Sequence, residues 1–250
     1  MGEHPGRAFQ EKTAYHRYAM EEYELDWRSK PPIYKFYPHA PVVSLPSAAP
    51  DPDEEPAPDL WTCVARRRSV RAFGAVPLTL VDLSRLLWAS AGVTTSFITP
   101  HGQDFYRAAP TAGALYPIET YVVVNRVEEL VTGLYHYQVR EGELVVLREG
   151  DFGRDLARAG LEQEMLEEAA CVFAWTAMVG RSKWKYRERA YRYIYMDAGH
   201  VGQNFYLAAA ALNLGCCTVG AFFDEEVDRL IGVDGTDEIS VYLGAVGKIK

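Results

Sequence analysis

A short basic run in the first third of the chain offers the clearest chemistry. Arg67, Arg68, Ser69 and Arg71 bring three guanidinium groups and a hydroxyl together within five residues. Arginine presents planar, fixed N–H donors that suit a phosphate, and serine adds a short donor. The run therefore predicts a site for a terminal phosphate. A solvated basic turn, or ion pairs with an acidic segment, would explain the same pattern.

A second basic stretch, residues 181–192, holds six lysines and arginines and includes the adjacent pair Lys185 and Tyr186. A lysine acts as a base only if its pKa is depressed, and clustered cations together with partial burial depress it. The neighbours that would supply this repulsion are Lys183, Arg187 and Arg189. The alternative is an exposed basic face that holds an acidic peptide or a partner protein.

The composition limits the kinds of partner. The 250 residues carry 26 Lys and Arg against 34 Asp and Glu, a formal net charge of −8, which disfavours nucleic acid as a partner. Four cysteines without paired spacing suit neither a disulfide framework nor a zinc site and indicate a reducing, cytoplasmic setting. The first twenty residues lack a secretory apolar run, and Asn213 and Gly215 interrupt the uncharged stretch 205–223, so no membrane segment is expected.

Several common enzyme motifs are missing from the sequence. It contains no GxGxxG after a strand, no GxxxxGK[ST], no HExxH and no GxSxG. Their absence disfavours Rossmann nicotinamide sites, P-loop enzymes, zinc proteases and α/β-hydrolases. The six histidines are scattered beyond ligand spacing, so no metal site is expected.

The elements that must position these motifs predict a globular domain preceded by an arm. Nine of the fourteen prolines lie between residues 31 and 58, which excludes a regular helix or a central strand there. We therefore expect an N-terminal helix near 11–24 and a proline-rich arm within residues 1–58, followed by one domain over 59–250. The aromatic residues of 34–37 suggest that the first part of the arm lies against the domain, whereas residues 47–58 are expected to be mobile.

Apolar periodicity within 59–250 predicts a mixture of helices and strands. A capped helix is expected from Thr79 to about Gly92, and residues 93–117 are expected to form a long functional loop. Further helices are predicted at 152–168, 196–214 and 224–231, and strands at 119–124, 133–137, 144–147, 171–179, 217–222 and 239–246. Because the two types do not alternate strictly, the fold class is α+β rather than doubly wound.

The run RRSVRAF at 67–73 resembles the flavin-phosphate motif of the nitroreductase family of FMN enzymes. Four further pieces resemble, in order, the azoline dehydrogenase branch of that family: PPIYKFYP (31–38), APTAGALYPIE (109–119), GLYHY (133–137) and residues 185–215. The resemblance extends from about Pro31 to Gly247. It implies a central mixed, mostly antiparallel sheet flanked by helices, in an intertwined homodimer with flavins at the subunit interface.

The same resemblance implies roles for individual residues. The residues that it places against FMN are Arg67, Arg68, Ser69, Arg71, Pro110, Thr111, Ala112, Gly113, Ala114, Gln203, Gly220 and Ala221. Arg67, Ser69 and Arg71 would hold the phosphate and ribityl chain, with Arg68 adjacent, and the loop 110–114 would touch a flavin, often that of the partner subunit. Small residues permit this close approach to a flat ring. The adjacent Lys185 and Tyr186 are implied to be catalytic.

A polar stripe marks the helix predicted at 196–214. Asp197, His200, Gln203 and Asn204 share one face at helical spacing. They could line the flavin pocket or form structural hydrogen bonds. For His200, and for His136 in the strand GLYHY, a hydrogen-bonded buried histidine is favoured over a proton shuttle.

The resemblance implies an FMN-dependent dehydrogenase that oxidises thiazoline or oxazoline rings to azoles in a ribosomal peptide or carrier-bound natural product. Two alternatives remain: an NAD(P)H-dependent reductase of nitro compounds or quinones, and a non-catalytic flavoprotein subunit of a biosynthetic complex. A fused peptide-binding domain is not expected, so another protein would recognise a leader or carrier. The sequence leaves open the ring type and the roles of Lys248 and Lys250.

Overall fold

A seven-stranded sheet organises the protein. The structure is a computed structural model and describes residues 4–18, 23–49, 57–99 and 102–250. The described strands are β1 (Val42–Ser44), β2 (Val93–Thr99), β3 (Gly102–Arg107), β4 (Ile118–Val124), β5 (Gly133–Gln138), β6 (Glu143–Glu149), β7 (Cys171–Met178), β8 (Gly215–Val219) and β9 (Glu238–Gly247). All of them except β2 and β3, which pair with each other, belong to this sheet. The described α-helices are α1 (Pro5–Lys12), α2 (Leu60–Arg66), α3 (Leu80–Ala91), α4 (Gly153–Ala159), α5 (Met165–Glu168), α6 (Val179–Tyr186), α7 (Ala190–Ala211) and α8 (Asp224–Ile231).

The sheet has the order β1-β6-β5-β4-β7-β9-β8, and its paired strands run antiparallel. Side chains of β4 alternate between two cores: Val122 and Val124 pack with α3 and α7 on one face, whereas Tyr121 and Val123 pack with α4 and α8 on the other. This alternation is the period of two that a strand imposes. The predicted α+β class, with a mostly antiparallel sheet flanked by helices, is confirmed.

Local signals placed several elements correctly. Thr79 forms a capping box with Asp82, in which Oγ1 of Thr79 accepts from the Asp82 amide at 3.0 Å and Asp82 accepts from the Thr79 amide at 3.4 Å. The helix then ends before Gly92, as predicted. Helix α8 spans the predicted 224–231 and ends at Gly232, whose φ of 89° is the left-handed conformation that glycine tolerates.

Three element predictions were wrong. The N-terminal helix is Pro5–Lys12 rather than 11–24, since residues 13–18 are not helical and 19–22 lie outside the described residues. The expected loop at 93–117 contains the hairpin β2–β3, in which the rings of Phe97 and Tyr106 stack at 4.3 Å. The helix predicted at 152–168 is broken into α4 and α5, because Leu161 and Glu162 adopt positive φ, which a right-handed helix excludes.

The proline-rich arm contributes one short strand. Strand β1 lies at the edge of the sheet and pairs with β6, where a proline-rich segment is tolerated because one side needs no partner. Residues 33–37 lie against the domain, as expected, with Oη of Tyr37 3.0 Å from Oη of Tyr121. Most of the stretch expected to be mobile, 47–58, falls outside the described residues.

Candidate active site

The predicted phosphate-binding turn follows α2 and packs against β8 and α7. The amide of Val70 donates to the Cys216 carbonyl at 2.8 Å, which fixes the turn on the edge strand. Oγ of Ser69 lies 2.9 Å from Oη of Tyr206, and the guanidinium of Arg67 lies 5.1 Å from the centre of the Tyr206 ring. These contacts orient the turn but do not neutralise its positive charge.

The basic side chains of the turn differ in how far they are engaged. Nη1 of Arg68 donates to the carbonyls of Ala65 and Arg67 at 2.9 and 2.7 Å. Arg71 is exposed and has no hydrogen bond or ion pair to any described residue. A pocket of about 260 Å³ lined by Arg67, Arg68 and Tyr206 opens beside the turn. Cations beside a pocket, with few acidic partners of their own, fit a small anion such as a phosphate.

Tyr206 is a residue of this site that the sequence analysis missed. Its hydroxyl accepts from the Thr218 amide at 3.0 Å and contacts Ser69, so it joins the basic turn to the end of β8. The predicted flavin contacts Gly220 and Ala221 follow that strand and are exposed. The signal that could have found Tyr206 is its position one turn after Gln203 in an otherwise alanine-rich half of α7.

The loop 110–114 is held by the middle of α7. Asp197 accepts from Oγ1 of Thr111 at 2.5 Å and from the amide of Ala112 at 3.3 Å. Nδ1 of His200 lies 3.2 Å from the Pro110 carbonyl oxygen. Burial raises the pKa of Asp197, and the hydrogen bonds from the loop oppose that rise. A buried carboxylate with two loop donors fixes this backbone firmly.

Gly113 brings the loop to the predicted catalytic pair. Its φ is 66°, and a methyl group built on its Cα would lie 2.6 Å from Oη of Tyr186 and 3.1 Å from Nζ of Lys185. Only a residue without a side chain allows the backbone to approach these two groups so closely. The structure therefore brings the sequence-predicted loop and the sequence-predicted catalytic pair together at one place.

Lys185 and Tyr186 close the C-terminal end of α6. Nζ of Lys185 lies 5.5 Å from the centre of the Tyr186 ring, and no described residue forms a hydrogen bond or ion pair with it. The Tyr186 ring packs against Tyr193 at 4.5 Å. Burial, with the nearby Tyr193 and Asp197, raises the pKa of Tyr186, so this phenol stays protonated at neutral pH.

The neighbouring cations have partners of their own. Lys183 pairs with Glu188 at 2.6 Å, Arg187 lies 4.2 Å from the centre of the Tyr23 ring, and Arg189 donates to the Thr13 carbonyl at 2.6 Å. Two of these contacts are with Tyr23 and Thr13, so Arg187 and Arg189 also bind residues near the N-terminus.

The polar stripe on α7 is mostly structural. Nδ2 of Asn204 donates to the Ala89 carbonyl at 3.0 Å, which ties α7 to α3. The expectation of a buried His200 was wrong, because this residue is exposed and contacts the loop. Gln203 is also exposed and makes no hydrogen bond with the described residues. His136 is the buried, hydrogen-bonded histidine that was expected, with Nε2 2.9 Å from Glu119.

A buried network of charged residues, which the sequence analysis did not predict, binds the segment that directly follows the loop 110–114. Glu119 pairs with Arg181 at 2.6 Å, and Nη1 of Arg181 also donates to the Tyr116 carbonyl at 2.9 Å. Nε of Arg181 donates to the Pro32 carbonyl, and Nη2 of Arg107 to the Ile33 carbonyl. The network thus joins the strand after the loop to the N-terminal arm.

The two halves of the site lie on different faces of α7. Asp197 faces the loop and Tyr206 faces the basic turn. Tyr206 follows Asp197 by nine positions, or about 2.5 helical turns, which places their side chains about 180° apart around the axis. The loop 110–114 and the basic turn therefore contact different faces of the same helix.

Within the described ranges, no helix is both long and apolar enough to cross a membrane. In the same residues, no group of three or more His, Cys, Asp and Glu side chains could hold a metal ion.

Known proteins similar to this chain include one from Methanocaldococcus jannaschii that is named as a nitroreductase. It is 38% identical over 168 residues, which cover 67% of this chain and 81% of that protein. The trifolitoxin-processing protein TfxB of Rhizobium leguminosarum bv. trifolii is 33% identical over 170 residues, or 62% of this chain and 43% of TfxB.

Two solved structures have the same fold. A crystal structure described as a nitroreductase from Anabaena variabilis superposes with a TM-score of 0.79 at 31% identity and covers 96% of this chain. The chain spans only 45% of that protein and less than half of TfxB. The E. coli microcin synthetase McbBCD, solved with truncated pro-MccB17 bound, has a TM-score of 0.60 at 21% identity and covers 80% of this chain and 77% of its own.

The family model described as the nitroreductase family matches residues 64–248. That range contains the basic turn, the loop on α7 and the pair at the end of α6, as well as eight of the nine described strands. The sequence resemblance is confirmed, and the chain belongs to the nitroreductase family.

Proposed function

We propose that the chain is an FMN-dependent dehydrogenase that oxidises thiazoline or oxazoline rings to azoles in a peptide or carrier-bound natural product. The observation that carries this proposal is the approach of Lys185 and Tyr186 to Gly113. It places an amine without a described partner and a protonated phenol beside a loop that suits a flat ring.

The residues present fit FMN. Arg67, Ser69 and Arg71 form a basic turn with a free pocket beside it, and would hold the phosphate. Exposed backbone at Gly220 and Ala221 would meet the ring system. The domain that binds the cofactor would be residues 59–250, with residues 1–58 as helix and arm.

The two side chains at the end of α6 suit the chemistry. Oxidation of an azoline removes a proton from one ring carbon and a hydride from its neighbour, and leaves a double bond between the two carbons. FMN, when bound, supplies the hydride acceptor. Lys185 would accept the ring proton at Nζ, while Tyr186 would donate a hydrogen bond to the substrate.

The relatives support a role in natural-product maturation. TfxB is named for processing trifolitoxin, and the microcin synthetase was solved with a truncated precursor bound. By analogy we propose that this chain acts on a precursor recognised within a biosynthetic complex, without nucleic acid or membrane partners. Its four cysteines are free and buried, which fits the reducing cytoplasm.

The opposite faces of α7 support a homodimer. Because the basic turn and the loop with Lys185 point about 180° apart, one flavin would be bound by the turn of one subunit and the loop of the other. Such a closed two-fold arrangement gives two equivalent sites.

Cofactor binding is tested by the visible spectrum of the purified protein. We expect FMN bands near stoichiometric occupancy, and weakened FMN retention in Arg71→Ala. Arg154→Ala, which removes an exposed arginine of α4, is the matched control and should retain FMN. A colourless protein that does not take up added FMN would overturn the proposal.

Catalysis is tested with a synthetic peptide that carries one thiazoline ring, by following the loss of two hydrogen atoms by mass spectrometry. Lys185→Ala should lower turnover by about 100- to 10,000-fold with FMN still bound. Arg154→Ala, the exposed control used for FMN retention, should leave turnover near that of the wild type. Unchanged turnover in Lys185→Ala would remove this residue from the mechanism.

A second candidate, an NAD(P)H-dependent reductase of nitro compounds or quinones, is favoured by the M. jannaschii relative named as a nitroreductase. The two activities differ in the direction of hydride flow. Rapid bleaching of bound FMN by NADPH, with no reduction of FMN by the thiazoline peptide, would favour this second candidate.

The shared site is tested by mixing two inactive variants. Arg71→Ala and Lys185→Ala subunits, refolded together in equal amounts, would form heterodimers in which one of the two sites has neither substitution. Random pairing then restores roughly a quarter of wild-type turnover. No recovery, despite heterodimers seen by native mass spectrometry, would place both halves of the site in one subunit.

A further inference from the structure

The N-terminal segment, whose described residues are 4–18 and 23–30, precedes the range matched by the family model and contacts the catalytic end of α6. It is anchored at Thr13 by two arginines near the start of α7. Nη1 of Arg189 donates to the Thr13 carbonyl at 2.6 Å, and Nε of Arg192 donates to Oγ1 of Thr13 at 2.8 Å. Thr13 is buried, so this end of the segment is firmly packed.

A second anchor lies at Asp26 and Trp27. Nε1 of Trp184 donates to the Asp26 carbonyl at 2.9 Å, and the rings of Trp27 and Trp184 meet edge to face at 5.2 Å. Trp184 directly precedes Lys185 in α6. The segment is therefore fixed on both sides of the residues that face the catalytic pair.

Tyr23 lies between the two anchors and contacts Lys185 itself. Its hydroxyl donates to the backbone carbonyl of Lys185, and the guanidinium of Arg187 lies 4.2 Å from the centre of its ring. The last carbonyls of a helix have no partner within the helix. Since α6 ends at Tyr186 and Arg187 turns sharply away with a φ of 49°, Tyr23 supplies the partner that this carbonyl lacks.

Tyr15 reaches the pair by a second route. Burial and a hydrogen bond with Tyr193 raise the pKa of Tyr15, and the Tyr193 ring packs on Tyr186 at 4.5 Å. Arg189 lies 4.2 Å from the centre of the Tyr15 ring. Tyr23 thus contacts Lys185 directly, and Tyr15 contacts Tyr186 through Tyr193.

We propose that Tyr23 is a positioning residue for Lys185, and that the N-terminal segment is a working part of the active site. The inference deepens the proposed function and rests on it. Tyr23 holds the last turn of α6 so that Nζ of Lys185 stays beside Gly113, where the ring of an azoline substrate would lie. Residues that precede the range matched by the family model would then fix the position of a catalytic side chain in this chain.

The test uses Tyr23→Phe, which removes only the hydroxyl and keeps the ring beneath Arg187. Tyr18→Phe, in the same segment, is the matched control because Tyr18 is 97% exposed. We expect Tyr23→Phe to lower kcat for the thiazoline peptide by about fivefold, the effect of one hydrogen bond. KM, FMN content and Tm should stay at wild-type values, and Tyr18→Phe should match the wild type throughout.

A readout without turnover separates this inference from the proposed function. Labelling of Lys185 by trinitrobenzenesulfonate, followed by mass spectrometry across a pH series, reports the surroundings of Nζ directly. A pH profile shifted in Tyr23→Phe, and unchanged in Tyr18→Phe, supports the positioning role even if the thiazoline peptide is not oxidised. An unchanged profile overturns it, as does a fall in kcat that merely follows a fall in Tm.

Discussion

At the scale of single residues, the site depends on side chains that fix backbone. Asp197 holds the loop 110–114 through Thr111 and Ala112, and those donors offset part of the effect of its burial. The loop in turn contains Gly113, whose Cα approaches Lys185 and Tyr186 more closely than any side chain would allow. A carboxylate and a glycine therefore define where the proposed catalytic pair, Lys185 and Tyr186, is located.

Gly113→Ala tests this arrangement. Its φ of 66° alone makes an alanine unfavourable by about 1 kcal/mol, and the new methyl group would also displace Tyr186 and Lys185. We expect loss of turnover together with a lower Tm. Gly142→Ala is the matched control, because Gly142 has a φ of 69° and open space around it. It should cost similar backbone strain and leave turnover unchanged; equal turnover in both variants would contradict the packing argument.

At the scale of elements, α7 is the part that organises the site. Its middle holds the loop through Asp197, its later turns hold the basic turn through Tyr206, and Asn204 ties it to α3. Helix α3 packs along α7 in the larger core, and its last turn, with Ser90 and Ala91, lines a small pocket beside Pro110 and Thr111. Its first turn is fixed by the local capping box at Thr79, so that cap should contribute to stability alone.

Thr79→Ala tests that separation. Removal of the capping hydroxyl of α3 should lower the free energy of unfolding by about 1 kcal/mol, as measured by urea denaturation. FMN content and turnover should be unchanged. Thr79→Ser keeps the hydroxyl and should restore most of the stability, whereas a cap that contributed nothing would leave all three proteins equally stable.

At the scale of the whole molecule, buried charges join the N-terminal arm to the sheet. Glu119 lies among His136, Arg181 and Arg107, and both arginines donate to carbonyls of the arm. Lys35 of the arm pairs with Glu238 at 2.5 Å. Residues 32–35 of the arm are thereby packed on the domain, and their removal would take one acceptor from each of Arg107 and Arg181 and the lysine partner from Glu238.

The pH dependence of stability should report this network. Burial alone would raise the pKa of Glu119, but the hydrogen bond from His136 and the charge of Arg181 outweigh it and lower the pKa below its ordinary 4.5. A lowered pKa stabilises the fold above pH 4.5, and that stability is lost as pH falls through the folded pKa. Glu119→Gln should cost about 3 to 5 kcal/mol at neutral pH and flatten this acid limb in urea titrations. Glu128→Gln, at an exposed site, should retain the limb; an equally steep limb in Glu119→Gln would contradict the assignment.

Local information in the sequence was enough for the fold class, for α3 with its caps, for the bounds of α8, and for the types of residue at the candidate site. Donor chemistry at Arg67–Arg71 and capping at Thr79 depend on a few consecutive residues, so they can be read without a structure. Breaks and turns were harder to predict from the sequence. The hairpin β2–β3 was predicted as a loop. Its cross-strand contacts, such as that of Phe97 with Tyr106, join residues that are not neighbours in sequence and so leave no local pattern.

The sequence by itself determined which chemistry this protein can offer: a basic turn for a phosphate, a small-residue loop for a flat ring, and a lysine beside a tyrosine. Only the tertiary structure decided which of these meet. It brought Gly113 to Lys185, set the basic turn on the other face of α7, and placed Tyr23 against the end of α6. The physical reason is that such contacts arise from the packing of distant segments, whose pairing leaves no periodic or local signal along the chain.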